Sequence, residues 1–271
     1  MMKPRERVFA ALNHEPVDRI PRLEIWIDGL LEELGYADPQ SAAVGLGQDG
    51  VMMPSRAPAG SNAWGDGVDE FGRVWAGGMY VDGVVDTDDD LARYSPEPET
   101  VDQYFDPKSI AAVRRQYPDH PLIFGTHVGP FMASYLAMGF ARFFTRLYDD
   151  VSFVRRLLDH RTEWCIALYQ KAVELGAEVL VLADDAGHKE GPMIAPAMWR
   201  ELVLPLHRRI IRALDTPTIW HSDGSILPLL PMAIEAGFAG VHGLEPAVGI
   251  DLGRVKRAYG DRLALAGNVD V

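Results

Sequence analysis

Seven short apolar runs alternate with amphipathic stretches along this chain, and that alternation constrains the fold more than any other feature. The runs are "RIPRLEIWI" from residue 19, "GQDGVMMP" from 47, "PLIFGTH" from 121, "EVLVLADD" from 178, "TPTIWHSD" from 216, "GFAGVHGLE" from 237 and "DRLALAGNVD" from 261. Strands that are apolar along nearly their whole length are buried on both faces, as in a parallel sheet covered by helices. Helical periodicity fills the gaps, first in "PRERVFAALN", where Val8, Phe9 and Leu12 share a face. The longest such stretch starts at Asp149 or Asp150 and is closed by Gly176. An α/β barrel and a doubly wound open sheet both satisfy this pattern.

Polar clusters decide between the two. "THVG" at 126, "DDAGH" at 184, "HSDG" at 221, "LEP" at 244 and "GNVD" at 267 each fall where a strand stops. In a barrel all such ends meet at one rim, whereas in an open sheet they spread along an edge. The expected fold is therefore a (β/α)8 TIM barrel, with residues 1–271 as a single domain. Seven strands leave it one βα unit short, which reads as loss of the last unit. Between the second and third runs, "NAWGDGVDEFGRVWAGGMYVDGVVDT" interleaves turn residues with aromatics and reads as hairpins or a loop covering the cleft. Trp64, Phe71, Trp75 and Tyr80 are expected to pack that insertion itself.

The formal net charge of −13 repels phosphate backbones and anionic lipid, so neither nucleic acid nor a membrane surface is an expected partner. A single cysteine, Cys165, excludes an intramolecular disulfide and a multi-cysteine zinc site within this chain, and it reads as a buried small hydrophobe in mid-helix. Cysteine usage, the absence of a signal-like N-terminus and the absence of a long apolar run point to the cytoplasm. No phosphate-cradling glycine motif is present.

The strand ends supply the candidate chemistry. Side chains alternate with period two, so His221 and Asp223 point the same way and can reach one ion from the rim. A structural alternative is that Asp223 caps the helix starting near Ile226 while His221 hydrogen-bonds in the core. Asp184 and Asp185 can hold a metal, share a proton or bind substrate donors; one of them is expected to be catalytic, and the motif does not say which. Glu245 is open to both metal ligation and proton transfer. His127, His188 and Asp270 are expected to line a substrate site, with Asn268 orienting Asp270.

Five segments in order resemble the uroporphyrinogen decarboxylase superfamily: "RERVFAALNHEPVDRIP", "GPFMASYLAMGF", "GPMIAPAMWRELVLPLHRRII", "HSDGSILPLL" and "EPAVGIDLGRVKRAYGDRLALAGNVD". The resemblance runs from Arg5 to Asp270 and implies the same barrel, with its cleft at the C-terminal face of the strands. True uroporphyrinogen decarboxylases carry an arginine-rich segment after the first strand. The corresponding stretch here, "RLEIWIDG", keeps Arg22 but places Glu24 and Asp28 where cations are wanted, a poor match to a polycarboxylate substrate.

The resemblance is closer to the corrinoid-linked methyltransferases, in which zinc sits on a His-x-Cys pair and a later cysteine. Here Asp223 stands where that first cysteine would be, leaving a harder Lewis acid suited to an oxygen-bearing substrate. The expected ligands of zinc, or of another divalent metal, are His221 with Asp223 or Glu245. The expected reaction passes a methyl group from a small oxygen-bearing molecule to a corrinoid carried by a partner protein. The family likeness also implies a homodimer. A cofactor-free decarboxylase of a carboxylated substrate is the alternative, and a non-catalytic truncated barrel is a third.

Overall fold

The computed structural model describes residues 1–23, 31–56, 65–126 and 128–268. Six parallel strands form one sheet: β1 (Val51–Met52), β2 (Leu122–Thr126), β3 (Val179–Ala183), β4 (Thr218–Ser222), β5 (Gly240–Gly243) and β6 (Ala264–Gly267). Each pairs with the next in chain order, so the sheet grows in one direction and curls into a half-barrel. Six of the seven expected strands are these; of the first, "RIPRLEIWI", residues 19–23 form no strand and residues 24–27 lie outside the described residues. Every residue of β3 and β4 is buried, as their unbroken apolar sequences require.

Helices pack on the convex face. α2 (Pro130–Met138), α3 (Phe140–Asp149) and α4 (Val151–Glu174) join β2 to β3, and α5 (Pro196–Leu202) with α6 (Leu204–Leu214) joins β3 to β4. The later crossovers use α7 (Leu230–Ala236) and α8 (Leu252–Tyr259). α4 is the long amphipathic stretch; Asp150 starts it by accepting the Phe153 N–H, and Cys165 is fully buried on its inner face. The larger apolar core lies between these helices and the sheet.

A smaller core fills the concave side, where Val8 and Leu12 meet Ile123, Val179, Val181 and Ile219. Val8 and Leu12 belong to α1 (Pro4–Leu12), which plugs the N-terminal end of the half-barrel. Ion pairs fasten the plug: Arg5 to Glu178, and buried Arg7 to Asp18 (2.6 Å) and Asp49 (2.5 Å). Asp49 is completely buried, pairs also with Arg19 and accepts the Arg22 N–H. It is thereby satisfied as a buried carboxylate must be, and it holds the Ile20–Leu23 segment against the cleft.

The aromatic insertion is a three-stranded antiparallel meander, Gly67–Val68, Arg73–Ala76 and Met79–Gly83, organised by Asp69. The Asp69 carboxylate accepts the Phe71 and Arg73 N–H groups, the Arg73 guanidinium and the Trp75 indole N–H. The expectation that this segment covers the cleft is corrected by its packing. Phe71 stacks edge-on against Trp164 of α4, and Tyr80 donates to the Leu136 carbonyl of α2. The meander therefore seals the helical layer, and Phe71, Trp75 and Tyr80 lie outside the cleft lining. Its apolar side found helices to cover because α2 is buried on nearly every residue and needs an outer layer. Trp64 lies outside the described residues.

Candidate active site

Parallel register brings Ala183, His221 and His242 side by side at the C-terminal ends of β3, β4 and β5. Period-two alternation sends His221 to the concave side, while its neighbours Trp220 and Ser222 are buried toward the helices. Two residues on, Asp223 continues the concave row, and Asp185 does the same beyond Ala183. The His221 Nε2 lies 3.6 Å from Asp223 Oδ1 and 3.9 Å from Asp185 Oδ1. The Asp223 N–H donates to Asp185 Oδ1 at 3.1 Å and so locks the β3 and β4 loops together. Gly224 makes that crossing possible, since its φ of 75° is left-handed and a Cβ there would strike the Gly187 backbone.

One ligand atom from each of Asp185, His221 and Asp223 lies within 4.8 Å of the others. An imidazole with two carboxylates is a donor set that zinc and similar divalent ions accept, with a further position left open in catalytic sites. Ligands at about 2.1 Å around a tetrahedral ion sit roughly 3.4 Å apart, against 3.6 and 3.9 Å from His221 Nε2 to the two carboxylates. Electrostatics fit a cation as well. Burial pushes the Asp185 carboxyl up to about 7 against a lowering from the Asp223 N–H, and the charges of Asp223, Asp184 and Glu245 add to the rise. Burial and Glu245 also raise the Asp223 carboxyl. Crowded, partly desolvated acids of this kind mark functional sites and are relieved by a bound cation.

The two adjacent aspartates point to opposite sides of the sheet, so only Asp185 joins His221 and Asp223. Asp184 is fully buried and faces the helices: its Oδ1 accepts the Met132 N–H at 2.7 Å, and its Oδ2 pairs with His207 Nε2 at 2.7 Å. It ties β3 to α2 and α6, and a Cβ at Gly129 would overlap it. The physical reason is strand alternation, which points neighbours to opposite faces. Glu245 lines the cleft, and its Oε1 accepts the Gly224 N–H at 2.7 Å. It supports the Asp223–Gly224 loop and stands outside the three-residue ligand set. Asp223 does not cap the turn at Leu227–Leu229, which has no side-chain cap.

His188 is exposed on a two-residue ribbon and touches the site through its backbone, its carbonyl accepting the Ser225 N–H. Asn268 donates to the Leu244 carbonyl at 2.7 Å. His127, Asp270, Glu24 and Asp28 lie outside the described residues. Sequence reasoning missed His242, which lies in the cleft with its Nδ1 2.7 Å from that of His221, and it missed His207. A signal for His242 was present: "WHS" and "VHG" both end strands with histidine one residue before the last, which places the two rings in one layer of a parallel sheet.

The cleft itself holds about 1100 Å³. Its mouth carries His221, Asp223, His242 and Glu245, and its floor is apolar, formed by Val8, Leu12, Ile219 and Ala264. Among the described residues Arg22 is the single cation lining it. No described helix is long and apolar enough to cross a membrane.

Comparison with known proteins gives the following. Residues 47–271 match the family described as uroporphyrinogen decarboxylase (URO-D). The methylcobamide:CoM methyltransferase MtbA of Methanosarcina mazei is 24% identical, over 82% of this chain and 70% of that one. The methylcobamide:CoM methyltransferase MtaA of Methanosarcina barkeri is 23% identical, over 98% and 82%. A uroporphyrinogen decarboxylase of Thioalkalivibrio sulfidiphilus is 29% identical, over 65% of this chain and 51% of that one. A solved structure named as a methyltransferase from Methanosarcina mazei superposes on 99% of this chain and 83% of its own with a TM-score of 0.78 at 21% identity, a likeness of fold. All of these relatives are enzymes.

Proposed function

Because the chain belongs to the uroporphyrinogen decarboxylase family, we propose that it is a methyltransferase of that superfamily, moving a methyl group from a small oxygen-bearing substrate to a corrinoid carried by a partner protein. The observation that supports this most directly is the gathering of Asp185 with His221 and Asp223, the latter two lining a large cleft, in a chain whose relatives include corrinoid methyltransferases. In this reading the three residues hold a divalent metal, with zinc the best match to the donors. Bound there, the ion would act as a Lewis acid on the methyl-bearing oxygen. The fold class belongs to the same proposal: residues 1–271 form one domain, and the six strands are an arc of a (β/α)8 barrel. So do a homodimer, implied by the family likeness, and a cytoplasmic setting, which rests on the lone buried Cys165.

The protein's own groups then divide the work. The apolar floor receives the body of the substrate and keeps bulk water from it, while the acidic mouth selects against multiple carboxylates. That selection weighs against uroporphyrinogen-like decarboxylation, since the described lining sets one cation, Arg22, against the carboxylates of Asp223 and Glu245. Cleavage of the O–CH3 bond leaves its electron pair on oxygen, and in this reading Glu245, a cleft-lining carboxyl, delivers the proton that oxygen takes up. Asp185 and Asp223 carry the negative charge that draws the cation in.

The test has two arms. Metal analysis of purified protein should find about one zinc per chain in wild type and a small fraction of that in His221→Ala. With reduced cobalamin as acceptor, methoxylated aromatic compounds should yield methylcobalamin, read by its absorbance. A metal-free wild type that resists reconstitution, or release of carbon dioxide from a carboxylated substrate without metal, refutes the proposal.

A further inference from the structure

We infer that His242 is the positioning residue for His221, fixing its ring plane and its tautomer so that Nε2 is turned to Asp185 and Asp223 as an electron-pair donor. The inference rests on the metal-binding reading above and goes beyond it to a residue that no motif singled out.

The geometry is specific. β4 and β5 pair in parallel with His221 directly opposite His242, so the two rings start from neighbouring Cα atoms and reach the same depth in the cleft. Their Nδ1 atoms are 2.7 Å apart, with ring centroids at 4.9 Å and planes inclined by 40°. Two nitrogens at that distance are joined by one proton. With two protons the N–H groups would collide, and with none the lone pairs would repel. The pair therefore couples the two rings: whichever Nδ1 carries the proton, the other must accept it.

The far side of His221 settles what this coupling is for. Its Nε2 points at the two carboxylate oxygens, 3.6 and 3.9 Å away. To give a cation the Nε2 lone pair, a neutral His221 must carry its proton on Nδ1, and that proton needs an acceptor. Among the described residues, His242 Nδ1 lies within hydrogen-bond distance of it. Histidine ligands generally use their second nitrogen in this way, donating it to a carboxylate, a carbonyl or water. Here the acceptor is a second imidazole supplied by the adjacent strand. His221 is also 8% exposed in its side chain, so water has little access to replace that partner.

Packing alone makes a different prediction. If His242 only filled space beside His221, phenylalanine would serve as well.

The experiment compares wild type, His242→Phe and His242→Gln for zinc affinity by competition with a chromophoric chelator, with thermal unfolding confirming that each variant folds. His242→Phe should bind zinc 10- to 100-fold more weakly, the range found when an outer partner of a ligand is lost. His242→Gln, whose amide oxygen can accept from Nδ1, should recover most of that loss. In zinc-loaded wild type labelled with 15N-histidine, His221 Nδ1 should show the shift of a protonated ring nitrogen. Zinc on wild type with unchanged affinity in His242→Phe, or an unprotonated His221 Nδ1, overturns this inference alone. Absence of zinc binding by wild type overturns the metal reading and the inference with it.

Discussion

Replacing Asp185 by asparagine should stabilise the metal-free protein, and should do so more as pH rises. The Asp185 carboxyl is pushed up to about 7 from an unfolded value near 3.8. A group raised in this way contributes stability that is fully present below about 3.8 and is lost as pH climbs through about 7, because the folded chain binds the proton more tightly. At pH 8 the ionised carboxylate costs the fold on the order of 4 kcal/mol, and at pH 5 roughly 2 kcal/mol. Asparagine keeps an oxygen to accept the Asp223 N–H but makes a weaker bond than a carboxylate, a loss of about 1 kcal/mol that does not vary with pH.

The pH-dependent part is the cleaner quantity. Between pH 5 and pH 8 the advantage of Asp185→Asn over wild type should grow by about 2.5 kcal/mol, or roughly 5 °C in Tm for a chain of this size. Thermal unfolding in chelator, followed by circular dichroism at both pH values, measures it. Saturating zinc should then reverse the order, raising wild type and leaving the variant behind. A gap of equal size at both pH values, or a variant less stable than wild type at pH 8, would refute the claim that crowded, buried acids define this site.

Further outcomes follow from other residues. Glu245→Gln keeps the acceptor for Gly224 N–H and should leave zinc binding intact while lowering methyl transfer by roughly 10²- to 10⁴-fold, measured as methylcobalamin formed. His207→Ala removes one hydrogen-bond partner of buried Asp184 and leaves the Met132 N–H, and should destabilise the fold by about 1 to 3 kcal/mol, read from denaturant unfolding. Arg7→Met should loosen α1, seen as faster amide exchange over Val8–Leu12. Its Arg7 partner holds the Asp18 carboxyl well below the usual range, so the deficit relative to wild type should shrink as pH falls through that range.

The parallel sheet was legible because strands buried on both faces leave continuous apolar runs, and β3 and β4 have the most continuous of all. Strand ends were legible for a related reason: polar residues such as Asp185 and Asp223 follow directly on apolar ones. Side-chain parity was equally available, and it places His221 and Asp223 together while separating Asp184 from Asp185. His242 required knowledge of register between β4 and β5, which no single strand contains. The meander's true neighbour was hidden for the same reason, since turn residues mark hairpins without saying what their apolar side will meet. Arg7 and Asp49 are 42 residues apart, and nothing local links them.

On the proposed reading, substrate choice would turn on the donors more than on the barrel, because relatives of one family include both methyltransferases and decarboxylases. A thiolate beside His221 would donate electron density to the ion and favour a soft sulfur partner. With Asp223 in that position the ion keeps more of its Lewis acidity, and an ether or alcohol oxygen becomes the better-matched group. In the proposed donor set Asp185 adds a second hard oxygen and reinforces the same preference. The exchange Asp223→Cys therefore isolates the argument. It should retain zinc, move the preference from methoxylated toward thiol-bearing or thioether compounds, and leave the fold unchanged at a side chain that is 59% exposed. Retention of the oxygen preference with zinc bound would show that the cleft walls, rather than the ligand atoms, select the substrate.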